Sequence, residues 1–377
     1  MRILNRSVFK RVEEKKKKIV LFDAFELAPN GGKSLGIYKY AVCLFRALLE
    51  NIPPTILLLV VCNPSCAKDF DCGSHSNAKR LIHSKRPPGK VSRQLWLKFG
   101  AQMVARKYGA DVYFSPKGFL PGIWGHSLAL KTVVVLHDLI PLWYEELYPG
   151  HFGRLEEYLV YSGLRRSVRH ADHVIAISRA TADDAKAKIG RCAKISVVHN
   201  GLPLYQPGQA LFDFPYIFAI CSSLPHKNAK GVLAAYAKYR VLANAPLPLV
   251  VCGITDPKMD GVIAVTGLTN AELHACYRDA RAFLFLSLIE GFGFPPLEAM
   301  SYGVPVLCSD IPSLREITCG AALLAPPEDS DISGRSLRDV VENEAIRSTL
   351  VARGLNAVAK YSWRRCARGV ISVLDAV

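Results

Sequence analysis

The sequence predicts an α/β protein of two successive lobes, each a parallel sheet flanked by helices. Three observations carry that prediction. Short apolar runs alternate with helical stretches from Ile19 onward, the pattern of strands buried on both faces and joined by crossover helices. Pro203, Pro207, Gly208 and Pro215 interrupt regular structure after Asn200-Gly201, which marks a boundary. A second alternation then begins at residues 216–220. The 377 residues suffice for two domains, each with its own core.

In the first lobe the expected strands are residues 19–23, 56–62, 111–114, 132–136, 173–177 and 194–198. The loop 29–36 contains Gly31 and Gly32 and leads into a helix over 37–50. A backbone nest for a phosphate or sugar belongs there. Its spacing matches neither a Walker loop nor G-x-G-x-x-G, so alone it reads as a glycine-rich turn. In the second lobe, strands over 216–220, 249–252, 262–266 and 282–286 alternate with helices over 228–244 and 270–280. Two such lobes facing each other make a cleft, the usual place for a small-molecule site.

The most informative stretch runs from Ser287 to Met300 and holds two acids, Glu290 and Glu298. A buried strand precedes it. Gly291 and Gly293 let the backbone turn tightly and approach a ligand, and Pro295 and Pro296 suit a first helical turn. Glu290 thus lies at the carboxyl end of a strand, where open α/β sheets bind ligands, and Glu298 in the first turn of a helix. The pair brackets a glycine loop whose N–H groups face a positive helix end. Two acids alone would read as a solvated loop acid and a helix-dipole partner; with the glycines and prolines they suit a phosphorylated ligand. Lys227 follows the strand over 216–220 in Cys221-Ser-Ser-Leu-Pro-His-Lys-Asn228. It adds a point charge beside backbone donors that suit a diphosphate. From the first lobe, His137 and Asp138 follow a buried strand and point toward the cleft; an imidazole there has a pKa near working pH.

These motifs resemble retaining glycosyltransferases of family 4, which have the GT-B fold. Glu290-Gly-Phe-Gly293, the proline pair, Glu298-Ala-Met300 and Gly303-Val-Pro-Val306 stand in the order of the family's E-x7-E donor motif. The resemblance takes in Val265-Thr-Gly-Leu268 and Ser309-Asp-Ile-Pro-Ser-Leu-Arg-Glu316 and extends from about Ile19 to Tyr361-Ser-Trp363. It is strong after Ala171 and thin between Asn63 and Ala110. It implies two facing Rossmann-like domains, with C-terminal helices crossing back to the first. The bounds are a basic tail over 1–18, an acceptor domain over 19–205, a donor domain over 206–360 and a returning helix over 361–377.

By the same resemblance, Glu290, His137 and Lys227 are the catalytic candidates. Lys227 neutralises the leaving nucleoside diphosphate, where a fixed cation lowers the barrier. Glu290 and His137 lie near the transferred sugar, whose developing positive charge a carboxylate stabilises. Glu298 binds ribose hydroxyls, and the amides of Gly291, Phe292 and Gly293 hold the sugar and phosphate. Leu268, Gly31 and Gly32 complete the donor set. Many relatives have Arg before this Lys; here His226 stands there, so either it serves the phosphate or that ligand is missing. Asp138 would orient His137 or cap the next turn. The stretches 170–178 and 198–201 match family landmarks of the fold, with Ser178 at a helix start.

Residues 1–200 hold 32 Lys and Arg against 16 Asp and Glu, whereas residues 201–377 hold 16 of each. From Cys72 to Ala110 there is no acid, while Lys79, Arg80, Lys85, Arg86, Lys90, Arg93, Lys98, Arg106 and Lys107 stand there. The first lobe therefore expects an anionic partner. No nucleic-acid motif accompanies the charge. Leu95, Trp96, Leu97 and Phe99 fit either a membrane-facing amphipathic helix or one packed on its own core. No apolar run approaches the length of a membrane span, and residues 1–18 lack the apolar core of a secretory signal. Eleven cysteines without a pairing framework fit free thiols in a reducing compartment.

The resulting expectation is a cytoplasmic enzyme, peripheral on the inner face of the membrane. It would move a hexosyl group, first choice mannosyl from GDP-mannose, to a hydroxyl of a lipid-linked glycan in surface-polysaccharide synthesis. No cofactor and no metal are expected. Asp69-Phe-Asp71 is a D-x-D pattern, but it lies in a polar loop away from the donor motif. Cys62, Cys66, Cys72, His75 and His83 lack zinc-knuckle spacing. Two alternatives stay open: a nucleotide-sugar 2-epimerase of the same fold, which needs no acceptor, and a non-catalytic membrane or nucleic-acid adaptor on a degenerate transferase scaffold.

Overall fold

The structure, a computed structural model, describes residues 17–29, 35–122, 130–151, 153–203 and 205–377. Gly31, Gly32 and residues 1–16 of the basic tail lie outside that set. The first lobe runs β1 (Lys18–Ala24), α1 (Leu35–Asn51), β2 (Ile56–Cys62), β3 (Ala78–Ile82), α2 (Lys90–Leu95), a π turn (Trp96–Gly100) and α3 (Ala101–Lys107). It continues with β4 (Val112–Ser115), β5 (Lys131–Leu136), α4 (Ile140–Leu147), α5 (Arg154–His170), β6 (His173–Ala176), α6 (Arg179–Ile189) and β7 (Lys194–Val197). The second comprises β8 (Ile217–Ile220), a 3-10 turn (Pro225–Lys227), α7 (Ala229–Leu242), β9 (Leu249–Cys252), β10 (Val262–Val265), α8 (Asn270–Arg278), β11 (Ala282–Phe285) and α9 (Phe294–Ser301). Beyond these lie β12 (Val306–Ser309), α10 (Pro312–Thr318), β13 (Leu323–Ala325), α11 (Ser330–Glu342), α12 (Glu344–Val358) and α13 (Trp363–Ala376).

Both sheets are parallel throughout, with order β3-β2-β1-β4-β5-β6-β7 and β10-β9-β8-β11-β12-β13 among the described residues. The order reverses between β1 and β4 in one sheet and between β8 and β11 in the other. At such a switch point the loops diverge and leave a crevice at the carboxyl ends of the strands. Val20, Leu21, Phe22, Phe218, Phe283 and Leu284 are wholly buried, as expected of strands covered on both faces.

β3 is absent from the expected strands. It pairs in register with β2 as an edge strand, but Lys79 and Arg80 face outward and hide its alternation; basic residues on an edge discourage pairing with another chain. The neighbouring helical segment divides between its two expected placements, core and outer face. Trp96 does not join Leu95 and Phe99 on an outer face: it is 3% exposed and packs with Leu21, Phe25, Leu59 and Val61. Leu97 is half-buried.

At the other end, α13 returns to the first lobe and packs on α1. Lys18 Nζ donates to the carbonyl oxygens of Leu374 and Asp375, where a cation complements the negative end of a helix. Tyr40 meets Trp363 edge-on at 5.7 Å.

Candidate active site at the interlobe crevice

Two loops of the second lobe build the site. After β8 the chain makes the turn Pro225–Lys227, and Asn228 follows in the left-handed region at φ 51°. Asn228 tolerates that conformation because its side chain bonds locally. Its Oδ1 accepts from Gly231 N to cap α7, and its Nδ2 donates to the carbonyls of Leu286 and Pro327. Leu288 N donates to His226 O at 2.7 Å. The β8 and β11 loops are thereby fastened together, and Lys227 Nζ reaches Glu290 Oε1 at 2.6 Å. The Glu290 side chain is 11% exposed and Lys227 28%, so the pair is partly desolvated and stronger than a surface ion pair.

Glu290 leads into the glycine turn before α9. Gly293 has φ 121°, a conformation open to glycine, and a Cβ there would lie 2.5 Å from Leu314 Cδ2. Gly291 needs to be glycine for a different reason. A Cβ at this position would lie 2.1 Å from His137 O and 2.9 Å from Asp138 Cβ, so the main chains of the two lobes touch there. Among the described residues, no protein acceptor takes the amides of Gly291, Phe292 or Gly293; they stand at the positive end of α9. The Phe292 side chain is buried against Phe294, Tyr361 and His199.

His137 Nε2 donates to Pro116 O at 2.7 Å, which leaves Nδ1 as the lone-pair nitrogen. Burial pushes its pKa down to about 4, against the pull of that carbonyl, so the ring is neutral near neutral pH. Asp138 Oδ1 accepts from Ile140 N at the start of α4, consistent with capping. Burial raises the Asp138 pKa to about 6, with Glu290 adding to the rise and Lys227 opposing it. Asp138, Glu290 and Lys227 therefore share one electrostatic environment across the lobes.

His226 is held on its Nδ1 side. Tyr144 Oη lies 2.7 Å from His226 Nδ1, and burial, reinforced by the charge of Lys227, lowers the His226 pKa to about 4. Glu298 Oε2 accepts from Tyr277 Oη at 2.8 Å; burial raises its pKa, with Tyr277 and Lys39 working the other way. Leu268 is half-buried just beyond β10 and packs on the core edge. The two aspartates of the D-x-D pattern are engaged elsewhere, Asp69 with Tyr38 and Arg46, and Asp71 with Arg80.

Four residues, Tyr144, Ser178, Thr181 and Glu316, join the lobes in a way the sequence did not indicate, though Ser178 was expected at a helix start. Tyr144 had no spacing signal. Ser178 Oγ, besides capping α6, donates to Gly291 O at 2.7 Å, and Thr181 Oγ1 to the same oxygen at 3.1 Å. Glu316 accepts from the amides of Arg179 and Ala180 and lies 2.7 Å from His199 Nε2. Its place in the stretch 309–316 was the available signal.

Residues 209–356 match the family described as "Glycosyl transferases group 1", and residues 58–205 match "Glycosyltransferase Family 4". The chain is 28% identical to the O-antigen chain mannosyltransferase RfbU of Salmonella typhimurium, over 89% of this chain and 95% of that one. It is 27% identical to the O-antigen chain mannosyltransferase B of Escherichia coli, over 78% of each. Among solved structures, the sucrose-phosphate synthase of Thermosynechococcus elongatus superposes with a TM-score of 0.70 at 16% identity, covering 96% of this chain and 99% of that one. WaaG, a glycosyltransferase involved in lipopolysaccharide biosynthesis, gives 0.66 at 12%, covering 94% and 99%. With one family model on each lobe and two parallel-sheet domains facing across a crevice, the chain belongs to the family 4 glycosyltransferases of the GT-B fold.

Proposed function

We propose that this glycosyltransferase is a retaining mannosyltransferase that needs no metal. It moves a mannosyl group from GDP-mannose to a hydroxyl of a lipid-linked glycan during cell-surface polysaccharide synthesis. The observation that carries this is the Lys227–Glu290 pair, 2.6 Å apart beside the interlobe contact at Gly291. The O-antigen mannosyltransferases among its relatives support the choice of sugar and acceptor.

In this mechanism the donor diphosphate lies over the amides of residues 291–293 and the ammonium of Lys227. Lys227 has three N–H donors, so it turns toward phosphate while staying near Glu290. The bond between the sugar C1 and the diphosphate oxygen breaks, and its electron pair leaves with the nucleotide. Lys227 and the helix end stabilise that charge as it grows, which is where binding energy becomes rate. Glu290 offsets the positive charge at C1. The acceptor oxygen attacks the same face and passes its proton to the departing phosphate. Neutral His137 offers its Nδ1 lone pair to a sugar hydroxyl, and Glu298, steadied by Tyr277, grips the ribose.

The test is a panel of nucleotide sugars in a thermal-shift assay, followed by turnover with and without acceptor lipid. GDP-mannose should raise the melting temperature most, since a ligand that binds the folded state stabilises it by mass action. Nuclear magnetic resonance of the product should show the donor's anomeric configuration kept. Conversion of the donor without acceptor, or stabilisation by another nucleotide sugar instead, would overturn the proposal.

A further inference from the structure

The first lobe has a switch point of its own, between β1 and β4, where the order of its sheet reverses. The chain leaves β1 through Phe25-Glu26-Leu27 and leaves β4 through Pro116-Lys117-Gly118. Close contacts fix both turns. Asn63, wholly buried, donates from Nδ2 to the carbonyl oxygens of Phe25 and Leu27, each at 2.7 Å. Gly118 lies at φ 93°, and a Cβ there would stand 2.6 Å from Val135 O, so its turn is pressed on β5 just before His137. Pro116 O is the acceptor that holds His137 Nε2. The turn that carries Lys117 therefore also orients the imidazole of the crevice.

Between the two turns Glu26, Lys117, Tyr113 and Ser115 line a recess with about 10 Å³ for the centre of a water-sized group, room for a single hydroxyl. Glu26 is 8% exposed. Its Oε2 takes Lys117 Nζ at 2.7 Å, while its Oε1 is buried with no partner among the described residues. A buried carboxylate oxygen left bare is costly. The neighbouring Asp23 shows the contrast, for both its oxygens are taken: Oδ1 accepts from Phe25 N, and Oδ2 from Trp96 Nε1 and Tyr113 Oη. The Lys117 side chain is half-buried, and of its three N–H groups one goes to Glu26.

We propose that Glu26 and Lys117 recognise the acceptor saccharide. Glu26 Oε1 accepts from one sugar hydroxyl, and a further N–H of Lys117 donates to the oxygen of the neighbouring hydroxyl. The inference rests on the glycosyl transfer proposed above and supplies residues for its acceptor side. Chemistry selects the ligand. A carboxylate can only accept, so it needs an O–H or N–H donor, and Asp23 and Glu26 together outweigh the charge of Lys117 and disfavour a phosphate. Two adjacent sugar hydroxyls offer one donor and one acceptor side by side, as a carboxylate beside an ammonium requires. The recess lies in the lobe opposite Lys227 and Glu290, next to the turn that holds His137, so the acceptor meets the donor across the crevice.

The test reads saccharide binding directly. Octyl glycosides of mannose, glucose, galactose and N-acetylglucosamine are titrated into the full chain by saturation-transfer nuclear magnetic resonance, without nucleotide and again with GDP. At least one should bind the parent. Glu26→Met and Lys117→Met should each weaken it roughly tenfold or more, with GDP affinity by calorimetry unchanged. Deleting one hydroxyl of that glycoside should cost the parent a comparable factor and Glu26→Met almost nothing, the coupling expected of groups in contact. Should Glu26→Met fail to fold, the same cycle with Lys117→Met and the neighbouring hydroxyl decides. A carboxylate that only holds a trapped water would change the melting temperature of Glu26→Met and leave every glycoside affinity as in the parent, which would overturn the proposal. So would a parent chain that binds none of the glycosides, or losses that simply add. A donor other than GDP-mannose would alter none of these readouts, so failure of the donor assignment is separate from failure here.

Discussion

Ser178 Oγ donates to the carbonyl oxygen of Gly291 at 2.7 Å. The cap of a first-lobe helix therefore also holds the glycine turn of the second lobe. The reverse contact exists too: Glu316 of α10 takes the first amides of α6. The second lobe thus caps the N–H groups that the start of α6 leaves open, as helix ends require, while the first lobe satisfies a turn carbonyl of the second. The glycine turn is thus positioned by both lobes.

Gly291→Ala tests how closely they must approach. The new methyl would lie 2.1 Å from His137 O, and Gly291 itself is tied in place by the Ser178 bond to its carbonyl. Overpacking of this kind costs about 1–3 kcal/mol. The expected result is a turnover at least roughly tenfold lower with a lowered melting temperature, while far-ultraviolet circular dichroism stays native, since each lobe keeps its own core. An alanine variant with full turnover would show that the lobes do not work in this arrangement.

Lys227 and Glu290 should separate in kinetics. In the proposed reaction Lys227 holds the leaving diphosphate; Lys227→Ala removes that cation and leaves Glu290 without its partner, so GDP affinity, measured by calorimetry, should fall on the order of tenfold to a hundredfold. Glu290→Gln keeps the size and removes the charge. Its kcat should fall far more than its GDP affinity, because in the proposed reaction the charge it offsets develops in the transition state. Equal losses in both variants would argue for a purely structural pair.

How much of this was legible beforehand depended on sequence distance. Lys227 and Glu290 each sit where a strand ends and a turn begins, so local pattern alone brings them to one edge of one sheet. The Asn228 amide that joins those loops was visible only as the first residue of a helix. Interlobe contacts left no such trace: Ser178 and Gly291, or Tyr144 and His226, are far apart along the chain and belong to no shared period. The two readings of the segment around Trp96 could not be separated for a local reason. A π turn breaks the 3.6-residue rule on which an amphipathic face is read, and it turned the bulkiest side chain of that face into the core. β3 was hidden by the basic residues that protect its edge.

Glu316 makes the lobe contact sensitive to acid. Burial works against its charge, but His199 and the amides of Arg179 and Ala180 outweigh it and hold the carboxyl below its usual 4.5. A carboxylate whose folded value is depressed stabilises the fold above its unfolded value and loses that contribution as pH falls through the folded one. The melting temperature should therefore drop below about pH 4.5. Part of that drop should vanish in Glu316→Gln, which should melt lower than the parent at neutral pH. Parallel pH profiles for the two chains would remove Glu316 from the lobe contact.

Tyr277 offers the sharpest test of the ribose assignment. It is wholly buried, and its hydroxyl donates to Glu298 Oε2 at 2.8 Å, which leaves the other carboxylate oxygen for a ligand. Tyr277→Phe keeps the ring packed against Phe218 and Phe283 and removes the bond alone. A hydrogen bond to a charged group contributes about 1.5–3 kcal/mol, and part of it steadies a carboxylate that burial disfavours. GDP affinity should fall on the order of tenfold. A 2′-deoxy or 3′-deoxy nucleotide, lacking the hydroxyl that the proposed reaction assigns to Glu298, should lose far less in the variant than in the parent chain. Additive losses from the two changes would separate Tyr277 from the ribose and move Glu298 out of the nucleotide site.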